Sequence, residues 1–272
     1  MSRFLVIGAT GFIGSAVVRR LERDGHEVVA DRIDLLTATD HELADYVGNA
    51  QASHCIHCAW YTNHADYLTH EVNREWLAAT LRLAAAFRGR FVGLGTCLEY
   101  DVASATGPLS EDGPLRPEPL YALCKQQLFE ELTEGDRDFA WARVFFVYGP
   151  GDRRGRLVPH MIEQFSRAQA AGPTFGGLRR DYVHVDDLAG QLVRIATSDV
   201  RGAINTGTGM APTLSEIFAA GAAAFEQPEL ARANGETGGQ PPVIQADLSR
   251  FREMVGEPAA RDIAIGLRDL IG

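Results

Sequence analysis

Tyr121 and Lys125 stand one helical turn apart in Tyr121-Ala-Leu-Cys-Lys125, a spacing that puts both side chains on one face of a helix. A free phenol ionises near pH ~10 and is a poor proton carrier at neutrality. An ammonium beside it favours the phenolate and lowers that value, which would make the pair an acid–base device. Near the start of the chain, Gly8-Ala-Thr-Gly11-Phe-Ile-Gly14 follows the apolar run Phe4-Leu-Val-Ile7 and leads into the amphipathic stretch Ser15 to Arg23. That order reads as a strand, a glycine turn and a helix start. In such a turn one glycine takes a backbone conformation closed to residues with a Cβ, one lets a ligand approach the main chain, and one lets the helix pack on the strand. A pyrophosphate would rest on the unpaired N–H groups at the positive end of the helix. Either element alone is also explained by an ordinary helix face or a plain turn. The two together point to a dinucleotide site served by a proton-moving tyrosine.

Between them the chain alternates strand and helix in the doubly wound manner. His26 to Ala30 reads as a second strand, Thr39-x-x-Glu42 as a capping box opening a short helix, and His54 to Ala59 as a third strand. A long helix is expected from Val72 to Phe87, a strand from Arg90 to Leu94, a loop from Asp101 to Glu118, the helix carrying Tyr121 and Lys125 from Pro119 to Leu132, and a strand from Trp141 to Val147. Beyond Tyr148-Gly-Pro-Gly-Asp152 the rhythm breaks. A helix over Leu157 to Ala171, an extended Arg180 to Val185, a helix opening at Asp186, a short strand over Ala203 to Gly207 and a capped helix from Thr213 to Phe225 follow; a Gly/Pro loop over Asn234 to Pro242 and two short helices close the chain. The expected fold is α/β, a doubly wound parallel Rossmann sheet with a small interleaved C-terminal lobe. Residues 1–155, rejoined by 181–207, would form the dinucleotide-binding domain, and 156–180 with 208–272 the substrate lobe.

Composition narrows the function. The chain has 272 residues, 46% hydrophobic and 23% charged, with a net charge of −10. Such a charge argues against a nucleic-acid backbone as partner, while local arginines and helix N-termini still allow a small anionic ligand. No apolar run approaches the ~18 residues of a membrane span, and the apolar stretch at the N-terminus is too short for a signal peptide, so a cytoplasmic location is expected. His54-Cys55-Ile-His57-Cys58 has metal-binding residue types. On a strand, however, side chains alternate faces, and Cys55 and Cys58 would point to opposite sides. Core packing, with no metal, is the reading adopted.

At this point the chain resembles the extended short-chain dehydrogenase/reductase family, in its nucleotide-sugar epimerase, dehydratase and ketoreductase group. The resemblance is carried by Gly8 to Gly14, His57-Cys-Ala-Trp60, Asn73, Gly95-Thr96-x-x-x-Tyr100, Tyr121 with Lys125, Tyr148-Gly-Pro-Gly151, Arg180-Asp-Tyr-x-x-Val-Asp-Asp187 and Asn205-x-Gly-Thr-Gly209. It implies that Thr96 bonds the substrate carbonyl or hydroxyl, that Tyr121 moves the proton, and that Lys125 sets the tyrosine pKa and holds the nicotinamide ribose. It further implies cofactor contacts at Thr10, Phe12 and Ile13 of the turn, at Ala59 and Trp60 after the third strand, and at Phe146. Cys97, Leu98 and Arg180 join Thr96 and Tyr121 as expected substrate contacts, and a homodimer is the implied assembly.

The departures carry as much. Dehydratases of the group follow the threonine with Asp-Glu; Cys97-Leu98 stands there, which argues against dehydration. Many sugar epimerases have an asparagine two residues before the Tyr-Gly-Pro element, where this chain has Phe146. Asp31, at the end of the second strand, is placed to bond an adenosine ribose diol and to repel a 2′-phosphate, favouring NAD. Arg32 beside it could pair with that phosphate, so NADP stays possible. The segment then passes directly into Ile33-Asp34-Leu35, where Asp34 and Leu35 would meet the adenine, or Asp34 would simply cap a turn. The implied activity is an NAD(P)-dependent ketoreductase of a nucleoside-diphosphate keto-deoxysugar. An epimerase with retained NAD, and a non-catalytic dinucleotide sensor on the same fold, are the alternatives.

Overall fold

The computed structural model describes residues 1–135, 137–232 and 243–271, and the expected Asn234–Pro242 loop lies outside the described residues. Its centre is a six-stranded sheet in the order β2-β1-β3-β4-β5-β8. The strands are β1 (Arg3–Ile7), β2 (Glu27–Val29), β3 (His54–His57), β4 (Arg90–Thr96), β5 (Phe139–Val144) and β8 (Gly202–Thr206), and every pairing is parallel. Parallel strands need crossover elements that cover both faces. Helices α1 (Phe12–Arg23) and α6 (Val185–Ala196) cover one face; α2 (Asp40–Ala50), α3 (Val72–Ala86) and α4 (Leu120–Glu134) cover the other. Alternation along β1 feeds both cores: Phe4 and Val6 pack with Leu21 and Leu192, Leu5 and Ile7 with Leu43 and Leu83. The same alternation separates the cysteines, since Cys55 lies in the second core and Cys58 packs against the first.

After β1 the chain moves to β2 on one side, and after α2 it returns to β3 on the other. This reversal opens a crevice at the carboxyl ends of the strands, the place where open α/β sheets bind ligands. The glycine turn sits there.

The expected strand over Trp141 to Val147 is two strands. β5 ends at Val144, and after Phe145 the chain resumes as β6 (Phe146–Tyr148), which leaves the main sheet to pair in parallel with β7 (Tyr182–His184). The run, apolar but for Arg143, gave no sign of the change of sheet, because both halves are buried or half-buried. α5 (Leu157–Ser166) also stops short of Ala171. Ala168 takes a left-handed conformation (φ 52), and the N–H groups of Ala168 and Gln169 close on Phe165 and Gln164, ending the helix. α5, α7 (Leu214–Ala224) and α9 (Ile263–Ile271) share a third core of Met161, Phe165, Ile217, Phe218 and Leu267. α8 (Ser249–Met254) completes the chain order. Both capping boxes are formed: Thr39 and Glu42, and Thr213 and Glu216, bond reciprocally.

Candidate active site

The glycine turn is built from the strand outward. Gly8 follows β1 with φ 79, and a Cβ there would come within 2.7 Å of the Ala59 nitrogen. Gly11 is the N-cap of α1, and its N–H bonds the Gly8 carbonyl at 2.9 Å. A Cβ on Gly14 would stand 2.0 Å from the Gly8 oxygen. The turn therefore exists only with hydrogen in place of side chains, and its free helix N-terminus opens on the crevice. α1 begins at Phe12, earlier than the sequence pattern indicates, so Phe12 and Ile13 form its first turn. This cradle fits a dinucleotide pyrophosphate.

Two recesses flank it. A groove of about 280 Å³ is lined by Gly8, Thr10, Asp31, Arg32, Asp34, Leu35 and Ala59, together with Ile7, Ala9, Ala30, Ile33 and Trp76. The guanidinium of Arg32 bonds the Thr10 hydroxyl at 3.3 Å, which lays it across the glycine turn. Asp34 accepts the Leu36 N–H at 3.1 Å. Trp76 escapes sequence reasoning because its place in the helix pattern marks it as core.

The larger recess, about 350 Å³, brings together Ile13, Trp60, Thr96, Cys97, Leu98, Tyr121, Lys125 and Phe146. Thr96 ends β4 and caps a 3-10 turn over Cys97–Glu99: its hydroxyl accepts the Leu98 N–H at 3.3 Å, and the Glu99 carboxylate accepts the Thr96 N–H at 2.8 Å. Glu99 is wholly buried. It also accepts from Trp141 Nε1 at 3.2 Å and from Arg143 Nε at 2.7 Å. Arg143 continues to the Tyr100 hydroxyl, which donates to Asn205 at 2.6 Å. A buried ion pair thus fixes the turn that presents Thr96; Thr96-x-x-Glu99 is a third capping box, legible locally like the other two, while the pairing of Glu99 with Arg143 of β5 is not. Helix α4 supplies the other two groups, and the Tyr121 N–H is anchored on the Leu68 carbonyl at 3.0 Å.

The electrostatics differ from the expected pairing. Burial pushes the Tyr121 phenol above its ordinary pKa, with Tyr67, Glu99 and Cys97 adding to the rise and a hydrogen bond from Thr96 opposing it. Burial brings Lys125 down to about 7, against the field of Glu99, which favours the ammonium. The ammonium lies 5.8 Å from the Tyr121 ring centre but only 3.6 Å from that of Trp60. In this state the lysine does not make a phenolate. His57, behind the cavity, is pushed down to about 3 by burial and shares a 3.3 Å hydrogen bond with Thr80.

Arg180 does not line the cavity. Its guanidinium donates to the Arg179 carbonyl at 2.8 Å and lies 5.9 Å from the ring centre of Phe146, which does line it. The guanidinium at the cavity wall is that of Arg156, 3.5 Å from the nearly buried carboxylate of Asp152. Tyr67 and Tyr182 are further lining residues; Tyr182 belongs to the motif that opens at Arg180, whereas Tyr67 had no prior signal. Lys125 carries one signal that spacing alone omits: it is the single lysine of the chain.

A glycine cradle at the switch point of a parallel sheet, beside a cavity holding Thr96, Tyr121 and Lys125, defines the dinucleotide-binding, tyrosine-and-lysine class of α/β protein. The chain belongs to the NAD dependent epimerase/dehydratase family, whose model matches residues 4–207. It is 28% identical to the UDP-glucose 4-epimerase of Mycolicibacterium smegmatis, over 93% of this chain and 92% of that protein. It is 26% identical to the dTDP-4-dehydro-6-deoxy-D-allose reductase of Streptomyces bikiniensis, over 92% and 90%. Among solved structures, the UDP-glucose 4-epimerase of Thermotoga maritima with UDP-glucose superposes with a TM-score of 0.84 over 98% of this chain and 97% of that one; at 20% identity the likeness is one of fold. Among the described residues no helix is long and apolar enough to cross a membrane.

Proposed function

We propose that the protein is an NAD(P)-dependent ketoreductase of a nucleotide-activated keto-deoxysugar. The observation that carries this reading is the convergence of Thr96, Tyr121 and Lys125 on one cavity beside the glycine turn. A bound nicotinamide supplies the hydride. Of the chain's own groups, Thr96 holds the carbonyl oxygen by its hydroxyl, and Tyr121 gives its proton to that oxygen as negative charge develops there. A phenol kept protonated by burial suits donation, the direction reduction requires. The exposed carboxylate of Asp31 favours NAD, and Arg180 holds the substrate diphosphate at the rim beyond Phe146, with residues 156–180 and 208–272 as the substrate lobe. The similarity to a dTDP-keto-deoxysugar reductase supports the substrate class.

Epimerisation with retained NAD is the second reading, favoured by the similarity to a UDP-glucose 4-epimerase; it is the same half-reaction run in both directions. Identifying the dinucleotide released on denaturing the purified protein separates the two. An empty site followed by oxidation of added NADH with dTDP-4-keto-6-deoxysugars supports the reductase. Stoichiometric retained NAD, with no net NADH consumption, replaces it by the epimerase. Failure to turn over any nucleotide sugar by either route leaves a non-catalytic dinucleotide sensor.

A further inference from the structure

The ammonium of Lys125 poses a problem of solvation. Its side chain is 3% exposed, and a buried charge needs a compensating partner. Glu99 is the buried carboxylate whose field reaches it, yet the Glu99 oxygens are taken by the Thr96 N–H, the Trp141 indole and Arg143. Cys58 from the end of β3 and Cys124 from α4 also face the ammonium, both with thiols pushed up by burial and so neutral, and His57 is held neutral. What stands against the ammonium is aromatic: the ring centres of Trp60, Tyr121 and Trp141 lie 3.6, 5.8 and 5.9 Å away.

Of the three, Trp60 is closest and is fixed from behind. Its indole N–H donates to the Asn73 side-chain oxygen at 2.7 Å. Asn73 is itself wholly buried, and its amide nitrogen donates to the carbonyls of Tyr67 and His70, each at 2.8 Å. Rotating the indole would strand a buried amide. The ring of Trp76 lies 6.2 Å from that of Trp60 and the Tyr121 ring meets it edge-on at 6.4 Å, which narrows the choice of plane further. The negative face of an indole is the best aromatic partner for a cation, most of all where water is excluded.

We infer that Trp60 is the seat of Lys125: a positioning residue whose indole face holds the ammonium in place and favours its charged form inside the cavity before any ligand enters. The inference leans on the proposed function only for the use to which Lys125 is put. The seat itself concerns the ligand-free protein.

Because the chain has one lysine, protein grown on 13C-lysine gives one Cε–Hε signal, which reads the site directly without cofactor or substrate. Two results are expected. In the wild type the Hε protons lie upfield of free lysine, since protons over a ring face are shielded, and the titration midpoint falls near 7. In Trp60→Leu, which keeps an apolar wall without a π face, the midpoint falls by at least one further pH unit, a tenfold change in the protonation equilibrium; Trp60→Phe falls between the two. A wild-type Hε signal without an upfield shift overturns the inference, and so does an unchanged midpoint in folded Trp60→Leu. If the leucine variant does not fold, the ring-current shift of the wild type decides alone. None of these readouts uses activity, so the seat and the ketoreductase reading can fail separately.

Discussion

The groove that runs from Gly8 to Asp34 keeps its charged side chains in the open, whereas the catalytic end of the cavity around Tyr121 buries Lys125 and rests on a buried ion pair, with Asp152 and the part-exposed Arg156 at its far wall. Thr10, Asp31, Arg32 and Asp34 are exposed; Thr96, Glu99, Lys125 and Arg143 are buried. In the groove, charges act through water and are screened by salt, so they select between similar ligands by modest amounts. In the cavity, burial moves pKa values and leaves each group few substitutes. Loss of a group there is close to all or none.

Tyr121→Phe tests the buried side most severely. It removes one hydroxyl without changing the cavity's shape, and turnover is expected to fall by ~10²-fold or more with cofactor affinity nearly intact. Near-normal turnover would take Tyr121 out of the chemistry and with it the contrast between the recesses. Arg180→Ala probes a guanidinium that lines neither recess but lies beside Phe146 of the cavity wall. Truncating one partner of a desolvated, charge-assisted pair costs ~2–5 kcal/mol, so the dissociation constant of a nucleoside diphosphate should rise at least about tenfold by calorimetric titration. Equal binding by the variant would shift attention to Arg156, the guanidinium that lines the cavity.

On the exposed side, Asp31 should favour NADH over NADPH by ~1–3 kcal/mol, the cost of bringing a carboxylate against a 2′-phosphate. The ratio of kcat/KM for the two cofactors reads it, and the preference should shrink with added salt. A clear NADPH preference would show that Arg32, lying across Thr10, governs the groove. The smallest effect is one of stability. Lys125 falls to about 7 in the folded chain from ~10.4 in the unfolded, so between these values the unfolded state binds more protons and stability rises with pH. From pH 7 to 9 the wild type should gain up to ~1.4 kcal/mol per pH unit over Lys125→Met, seen as roughly 2–4 °C of Tm per unit. Parallel curves for the two proteins would mean that the ammonium is not desolvated.

What the sequence made legible was local. The glycine turn, the two capping boxes and the face shared by Tyr121 and Lys125 each depend on neighbours a few residues apart, and the strand–helix rhythm gave the parallel, doubly wound class of the sheet. Legibility ended where distant segments meet. The break at Phe145 depends on a pairing with Tyr182 to His184 that no apolar pattern encodes, and no local pattern shows that Arg156 rather than Arg180 lines the cavity. The tyrosine–lysine pairing shows the limit well. Spacing placed Lys125 on the helix face of Tyr121, but in the ligand-free protein the ammonium lies nearer the ring of Trp60, from beyond the end of β3, and burial holds the phenol above its ordinary value.

The single lysine has a consequence for how the native chain meets proteases. An enzyme that cuts only after lysine has one bond available, between Lys125 and Gln126, and it lies within α4. Cleavage there requires that helix to open, so when opening is fast relative to cutting, the digestion rate measures the free energy of that opening. The product is two fragments, 1–125 and 126–272. Any compound that seats itself against α4 slows their appearance, whatever chemistry the compound undergoes, and a gel lane becomes a titration of the site.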